Sequence, residues 1–496
     1  MSPHFIINTL CGLTLAVACL QPFCASGQNP MPYETPHTSA PMRMTLAQVI
    51  SLAQDKSPSA QSAKHAFLAA EWQYKYYKAN YLPSVTLTSS PFLNREINKL
   101  TLNDGTSAFI KQNQLSADIA VTINQNISLT GGSLFLKSTL ARIDEFERKT
   151  TSYSSTPVTI GYSQSLFGYN SLKWDRRIEP VKYREARKTY NEAMELVAAH
   201  ATQYYFSLVE AQTNLDMARL NYASADTLYQ MAQGRYKIGT INENDMLQLE
   251  INRLNEETAC MDAEVQVKEQ TQLLASYLGL DDILSLDLEL PESVPDIEVS
   301  LPLAMEMAME NAPDPDYYRQ MKLESDSRVA QAKGNAGLRA DIYLQFGLSQ
   351  TGDDISQTYS RPMHQEYASV TLSFPFLDWG RGKGEVKVAK SQRDLAYTTA
   401  EQGMNDFRQN LSKLVMQFNM QARKVEVASR TNKLASHRYE IARRLYIAGR
   451  NTILDLNTAL TEKDSATRQY ITSIKNYWTL YYTIRSLAGP EIMKQP

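Results

Sequence analysis

Cysteine is scarce in this 496-residue chain and badly placed for cross-linking. Three of the four, Cys11, Cys19 and Cys24, sit near the N-terminus, which leaves Cys260 alone in the remainder. One thiol closes no internal disulfide, and a small helix-packing residue is the plainer reading of Cys260. Histidine is sparse too: His4, His37, His65, His200, His364 and His437 show no paired metal-ligand spacing. Neither sign of charge dominates. The formal net charge is -3 and the mean hydropathy -0.38, so no field of one sign points to nucleic acid. Beyond residue 27 no run of ~18 apolar residues occurs, so no second membrane helix is expected. The segment 380–384, Gly-Arg-Gly-Lys-Gly, lacks the spacing of a phosphate loop and reads as a flexible junction. Met305, Met307 and Met309 fall at alternate positions of a helix and cannot share one face as soft-metal ligands. No enzyme and no cofactor are expected.

What is present begins with a leader. Residues 5–20 are mostly apolar, and Ala25, Ser26 and Gly27 offer the small residues a signal peptidase reads, so 1–27 is expected to be a signal peptide cleaved before Gln28. Acylation of Cys19 is the rival reading, although Ala16 stands where lipoprotein signals usually carry Leu. The 28 tyrosines, against 14 Phe and 4 Trp, suit half-wet interfaces, where a ring is buried while its hydroxyl stays solvated.

The remainder reads as one unit written twice. At a spacing of 210 residues, 163–167 and Tyr169 match 373–377 and Trp379, while Tyr236, Gly239 and Asp245 match Tyr446, Gly449 and Asp455. Leu46, Ala53 and Pro58 match Leu301, Ala308 and Pro313. The expected division is a linker over 28–44, a first repeat over 45–290, a second over 291–489 and a tail over 490–496. Within the first repeat, apolar and small residues step by four and three from Tyr190 through Val197, Leu208 and Ala218 to Tyr236, which is a coiled-coil seam. Its counterpart runs from Ala400 to Tyr446. From about Arg176 the first helix spans ~60 residues, or roughly 90 Å. Toward the glycine turn every second seam position is alanine (Ala211, Ala218, Ala225, Ala232), which should draw the helices closer there. Return helices are expected to end near Leu278 and Ala488.

At the other end of the rods, 85–88, 119–124, 134–143 and 158–162, then 342–346 and 370–374, alternate apolar with small or polar residues. Period two with Thr, Ser, Asn and Gln on the second face fits a wall between lipid and water. Six such strands cannot close a barrel, since about eight are needed, so closure must come from several chains.

This ordered, duplicated set resembles the TolC family of outer-membrane efflux proteins over nearly the whole mature chain. The fold class expected is mainly α with membrane β: long coiled-coil hairpins plus strands given to a shared barrel. The resemblance implies a homotrimer in the outer membrane of a Gram-negative cell, with an α-helical tunnel across the periplasm. It further implies an iris at the helix turns, opened by a periplasmic adaptor and an inner-membrane pump, for efflux or type I secretion. On that reading Tyr236, Asp245, Tyr446, Arg450 and Asp455 form the periplasmic gate, and Gly239, Thr240 and Gly449 mark the adaptor-contact turns. The family's arginine two places past the second glycine is Asn451 here, with Arg450 one place earlier, and a second acidic position is Thr458. The alternative is a periplasmic coiled-coil adaptor, which would carry one hairpin flanked by lipoyl-like and soluble barrel domains rather than a duplicated unit with membrane-type strands.

Overall fold

The computed structural model describes residues 42–101, 105–280, 286–291 and 293–494; the expected leader, with Cys11, Cys19 and Cys24, lies outside them. Cys260 is a free, half-buried thiol on a helix. In chain order the elements begin with a short strand β1 (Met42–Met44) and two helices, α1 (Leu46–Lys56) and α2 (Pro58–Ala79). Five strands follow: β2 (Ser84–Ser89), β3 (Phe92–Thr101), β4 (Ser107–Ile127), β5 (Gly132–Glu145) and β6 (Thr150–Leu166). The rods α3 (Ser171–Lys237) and α4 (Glu243–Leu278) complete the first half. The second half has β7 (Leu286–Leu288), α5 (Leu301–Asn311), α6 (Asp314–Ala336), β8 (Arg339–Gly352), α7 (Gln357–Ser360) and β9 (Met363–Ser373). It closes with rods α8 (Arg381–Ile447) and α9 (Ile453–Ala488).

The rods repeat residue for residue. Both α3 and α8 have 67 residues, both α4 and α9 have 36, and each pair is displaced by 210 positions. A 67-residue helix is ~100 Å long. The first starts five residues before the sequence-based expectation because Asn170 caps it, its side chain accepting from the Lys173 amide at 2.9 Å. The second starts inside the glycine-rich segment. Asp378 accepts from the amides of Gly380 and Gly382 at 2.9 and 2.8 Å, so 381–384 is the capped first turn of α8 rather than a flexible junction. A Cβ on Gly382 would stand 2.9 Å from that of Ala336, so glycine there also allows α6 and α8 to touch.

The alternating seam is the buried face, as its spacing requires: Val197, Ala201, Leu208, Ala211, Ala218 and Ala232 are all buried. Around 197–209 the helix is enclosed further, and Tyr205 and Phe206, off the seam, are fully buried. There α1 packs on α3, and the parallel pair β1–β7 lies alongside. The Tyr205 hydroxyl donates to the Glu289 carbonyl oxygen, tying the first rod to the connector between the halves. In the rod layer α4 packs on α3, α3 on α9 and α9 on α8, so α4 and α8 form its two edges.

Six strand positions form one antiparallel sheet, in the order β2/β3–β4–β5–β6–β8–β9. The expected strands lie at these positions. The first, expected over 85–88, is β2; β3 was not expected, and the two pair with successive stretches of β4 on either side of a break at Ser90 and Pro91. Pairing puts Val85 opposite Ile123, Leu136 opposite Ile160, and Ile160 opposite Phe346, so one face is apolar across the sheet. Among the described residues nothing covers that face: Leu87 is 72% exposed, Ile160 49%, Phe346 51% and Val370 64%. The other face carries Thr86, Thr122, Thr159, Gln345 and Ser369. Among the described residues no helix is long and apolar enough to cross a membrane.

Candidate functional site

The rod tips are built by two copies of one turn. In the first, the Gly239 amide donates to the Tyr236 carbonyl at 2.9 Å and the Thr240 amide to that of Arg235 at 2.9 Å. In the second, Gly449 donates to Tyr446 at 3.0 Å and Arg450 to Leu445 at 2.9 Å. This is the Schellman pattern, and it needs a left-handed residue: Gly239 has φ +74° and Gly449 φ +71°. Asn242 and Thr452 then cap the return helices. Behind the turns Leu228, Ala232, Leu249, Tyr439, Ala442, Leu456 and Ala459 form a small core of their own, shared by all four rods.

The polar residues expected at the gate divide between two roles. Tyr446 is half-buried against that core, and burial pushes its hydroxyl pKa up; Arg235 opposes the shift and Asp245 adds to it. Asp245 and Tyr446, on the two different halves, thus lie within electrostatic reach of each other. Arg235, which sequence reasoning passed over, donates from Nη2 to the Ile447 carbonyl oxygen at 2.8 Å and joins the ends of α3 and α8. Its signal was a cation in the last turn of a helix, where terminal carbonyls are unpaired. Asp455 caps its own helix. Its carboxylate accepts from the Thr452 hydroxyl at 2.6 Å and amide at 3.3 Å, closing a capping box, and these bonds hold its pKa below the usual carboxylate range. Tyr236 is 41% exposed, Arg450 is exposed, and the Thr240 hydroxyl bonds back to the Arg235 carbonyl at 3.0 Å.

Further up the rods a polar cluster interrupts the seam. Asn221 of α3 donates to Asp464 of α9 at 2.9 Å and accepts from Lys463 at 3.2 Å, while the Lys463 ammonium lies 4.6 Å from the centre of the Tyr439 ring. Burial, then the charge of Asp464, raises the pKa of Glu256 nearby. Among the described residues no group of His, Cys, Asp and Glu is arranged to hold a metal.

The model of the family described as "Outer membrane efflux protein" matches residues 49–280 and 318–489. A curated relative, the alkaline protease secretion protein AprF of Pseudomonas aeruginosa, is 20% identical over 341 residues, 68% of this chain and 70% of that one. The outer membrane channel CmeC of Campylobacter jejuni superposes with a TM-score of 0.66 at 14% identity, covering 90% of this chain and 85% of that chain. CusC superposes at 0.62 and 13% identity, over 96% and 99%. At such identities the superpositions speak for the fold alone.

Proposed function

The chain belongs to the outer membrane efflux protein family, and from that premise we propose that three copies assemble into one passive duct. The chain is an outer-membrane efflux or secretion channel, with its strands in the outer membrane of a Gram-negative cell and its rods in the periplasm. The observation that carries the assembled duct is the uncovered apolar sheet face. An exposed apolar layer running across six strand positions is unstable in water and suited to lipid, with the Thr- and Gln-bearing face turned to an aqueous lumen. The sheet has open edges at β2/β3 and at β9, and the rod layer at α4 and α8, so further copies can close both layers together.

In this reading residues 1–27 are removed on export, a periplasmic adaptor and an inner-membrane pump engage the turns at Gly239, Thr240 and Gly449, and the duct itself does no chemistry. Asp245, Tyr446 and Arg235 hold the mouth narrow; Tyr236, Arg450 and Asp455 stand at the same level, Asp455 as a cap. AprF is named for protease secretion, so a protein cargo is one class for such a duct. A coiled-coil adaptor is disfavoured by two hairpins per chain and a sheet whose apolar face no described residue covers. The test is outer-membrane fractionation with native-size analysis and planar-bilayer recording of the purified protein. Heat-modifiable trimers that conduct are expected, whereas a periplasmic monomer without conductance would overturn the reading.

A further inference from the structure

The apolar face of the sheet changes character at the end away from the rods. β5 pairs with β4 only as far as Gln114, while β3 follows β4 on to Ser107, so a two-stranded ribbon stands beyond the rest of the sheet. On β4 the apolar face runs through Ile123, Val121, Ile119 and Leu115. Those eight residues rise ~27 Å along the strand. At a tilt of ~40° this is roughly 21 Å of height, close to the ~25 Å apolar band of an outer-membrane barrel. The next positions on the same face are basic. Arg95 stands opposite Asn113, Lys111 opposite Ile97 and Lys99 opposite Phe109, which makes the three cations diagonal neighbours ~7–8 Å apart. All three are exposed, and so are Leu93, Ile97 and Phe109 among them.

No acid on that face of the ribbon balances them among the described residues. The ribbon's one described carboxylate, Glu96, belongs to the opposite face, where Asn94 and Asn98 donate to it at 2.9 and 3.0 Å. The next acid along the basic face, Asp144 on β5, is already engaged by Arg142 at 3.0 Å. Like charges at such spacing repel one another, and an anion between them removes the repulsion. We infer that Arg95, Lys99 and Lys111 bind the phosphate groups of an outer-leaflet glycolipid, the lipopolysaccharide of a Gram-negative cell. This rests on the lipid-facing assignment of the apolar sheet face made above. Position favours a lipid over a soluble anion, because the cations continue the lipid-facing surface without a break and begin where its apolar band ends. Leu93, Ile97 and Phe109 suit the upper acyl chains, while Arg95 and the two ammonium groups give the phosphates charge-assisted hydrogen bonds. Cargo inside the duct would meet the other face, with its Asn and Gln side chains.

The test uses the full-length protein, taken folded from outer membranes and stripped of lipid in detergent. Purified lipopolysaccharide is expected to raise its melting temperature and to co-elute with it on gel filtration. Arg95→Gln with Lys99→Gln and Lys111→Gln should lower the retained lipid several-fold, whereas Arg95→Lys with Lys99→Arg and Lys111→Arg should keep it. Lipopolysaccharide stripped of its lipid phosphates should bind the parent as poorly as the intact lipid binds the glutamine variant. Equal retention by the parent and the glutamine variant, or of the intact and dephosphorylated lipid, would overturn the site. Inorganic phosphate that stabilises the parent as much as the lipid does would also overturn it, assigning the cations to a soluble anion. Loss of native trimer in the glutamine variant with lipid retention unchanged would overturn it in favour of a neighbouring copy. A parent that does not fractionate with the outer membrane would instead sink the lipid-facing assignment on which the site rests.

Discussion

The guanidinium of Arg235, in the last turn of α3, donates at 2.8 Å to the carbonyl oxygen of Ile447, the last residue of α8. The two halves of the duplication are thus joined at their tips by one charge-assisted bond, beside the Asp245 and Tyr446 pair. Such a bond contributes on the order of 1 kcal/mol when partly solvated. Repeated in three copies it can shift a two-state mouth substantially. Arg235→Ala, and Asp245→Ala combined with Tyr446→Phe, are expected to raise single-channel conductance in planar bilayers without altering trimer yield. Unchanged conductance in both would place the constriction elsewhere. Asp455→Asn, which weakens a cap and not a bridge, should leave conductance alone and loosen the α9 tip in hydrogen exchange.

The glycine turns separate backbone strain from packing. A Cβ at Gly239 or Gly449 would meet nothing within 4 Å, so only the positive φ opposes substitution. Each Gly→Ala change should destabilise its turn by about 1 kcal/mol, with faster amide exchange confined to the tip. Loss of stability propagating to the main core would show that the turns nucleate more than themselves.

Glu192 on α3 has its pKa pushed up to about 7, by burial first and by Asp314 second. A raised folded-state value means the protonated carboxyl suits the fold. That stability is fully present below the ordinary glutamate value of 4.5 and is lost as pH rises through about 7. Glu192→Gln should therefore raise the melting temperature at pH 8, with the gain shrinking toward pH 5. A pH-independent difference would mean that Glu192 is solvated or ion-paired in the assembled protein.

Much of this fold was legible because rods and strands have strict periods. The step of 210 residues between Gly239 and Gly449 fixed both hairpins, and of the alanines nearest the turns Ala232 and Ala442 lie buried in the tip core while Ala225 and Ala435 are half-buried. The strand β3 was not legible, since Asn94, Arg95, Glu96, Asn98 and Lys99 break the apolar alternation and only pairing with β4 holds it. Burial of Tyr205 and Phe206 was hidden for a different reason. They leave the seam, and what covers them is remote in sequence: α1 and the strand pair at 42–44 and 286–288. At the tips, residue types marked the site but not the roles. The motif that offered Asp455 as a gate residue is also a capping box, and Arg235 belonged to no motif at all.

The sheet offers the sharpest test of which side meets lipid, because Val121 and Thr122 are neighbours on β4 that point to opposite faces. Val121 pairs with Leu87 and belongs to the apolar face, 41% exposed; Thr122 pairs with Thr86 on the polar one. An arginine on the lipid face of a barrel near the bilayer midplane destabilises by about 2–4 kcal/mol, whereas a lumen position tolerates charge. Val121→Arg should therefore sharply lower the amount of folded, heat-modifiable protein in the outer membrane. Thr122→Arg should fold at parental levels and shift the ion selectivity of the open channel toward anions, since three cations would ring the lumen. Equal tolerance of both substitutions would mean that the sheet does not separate lipid from water, and the opposite ranking would turn the barrel inside out.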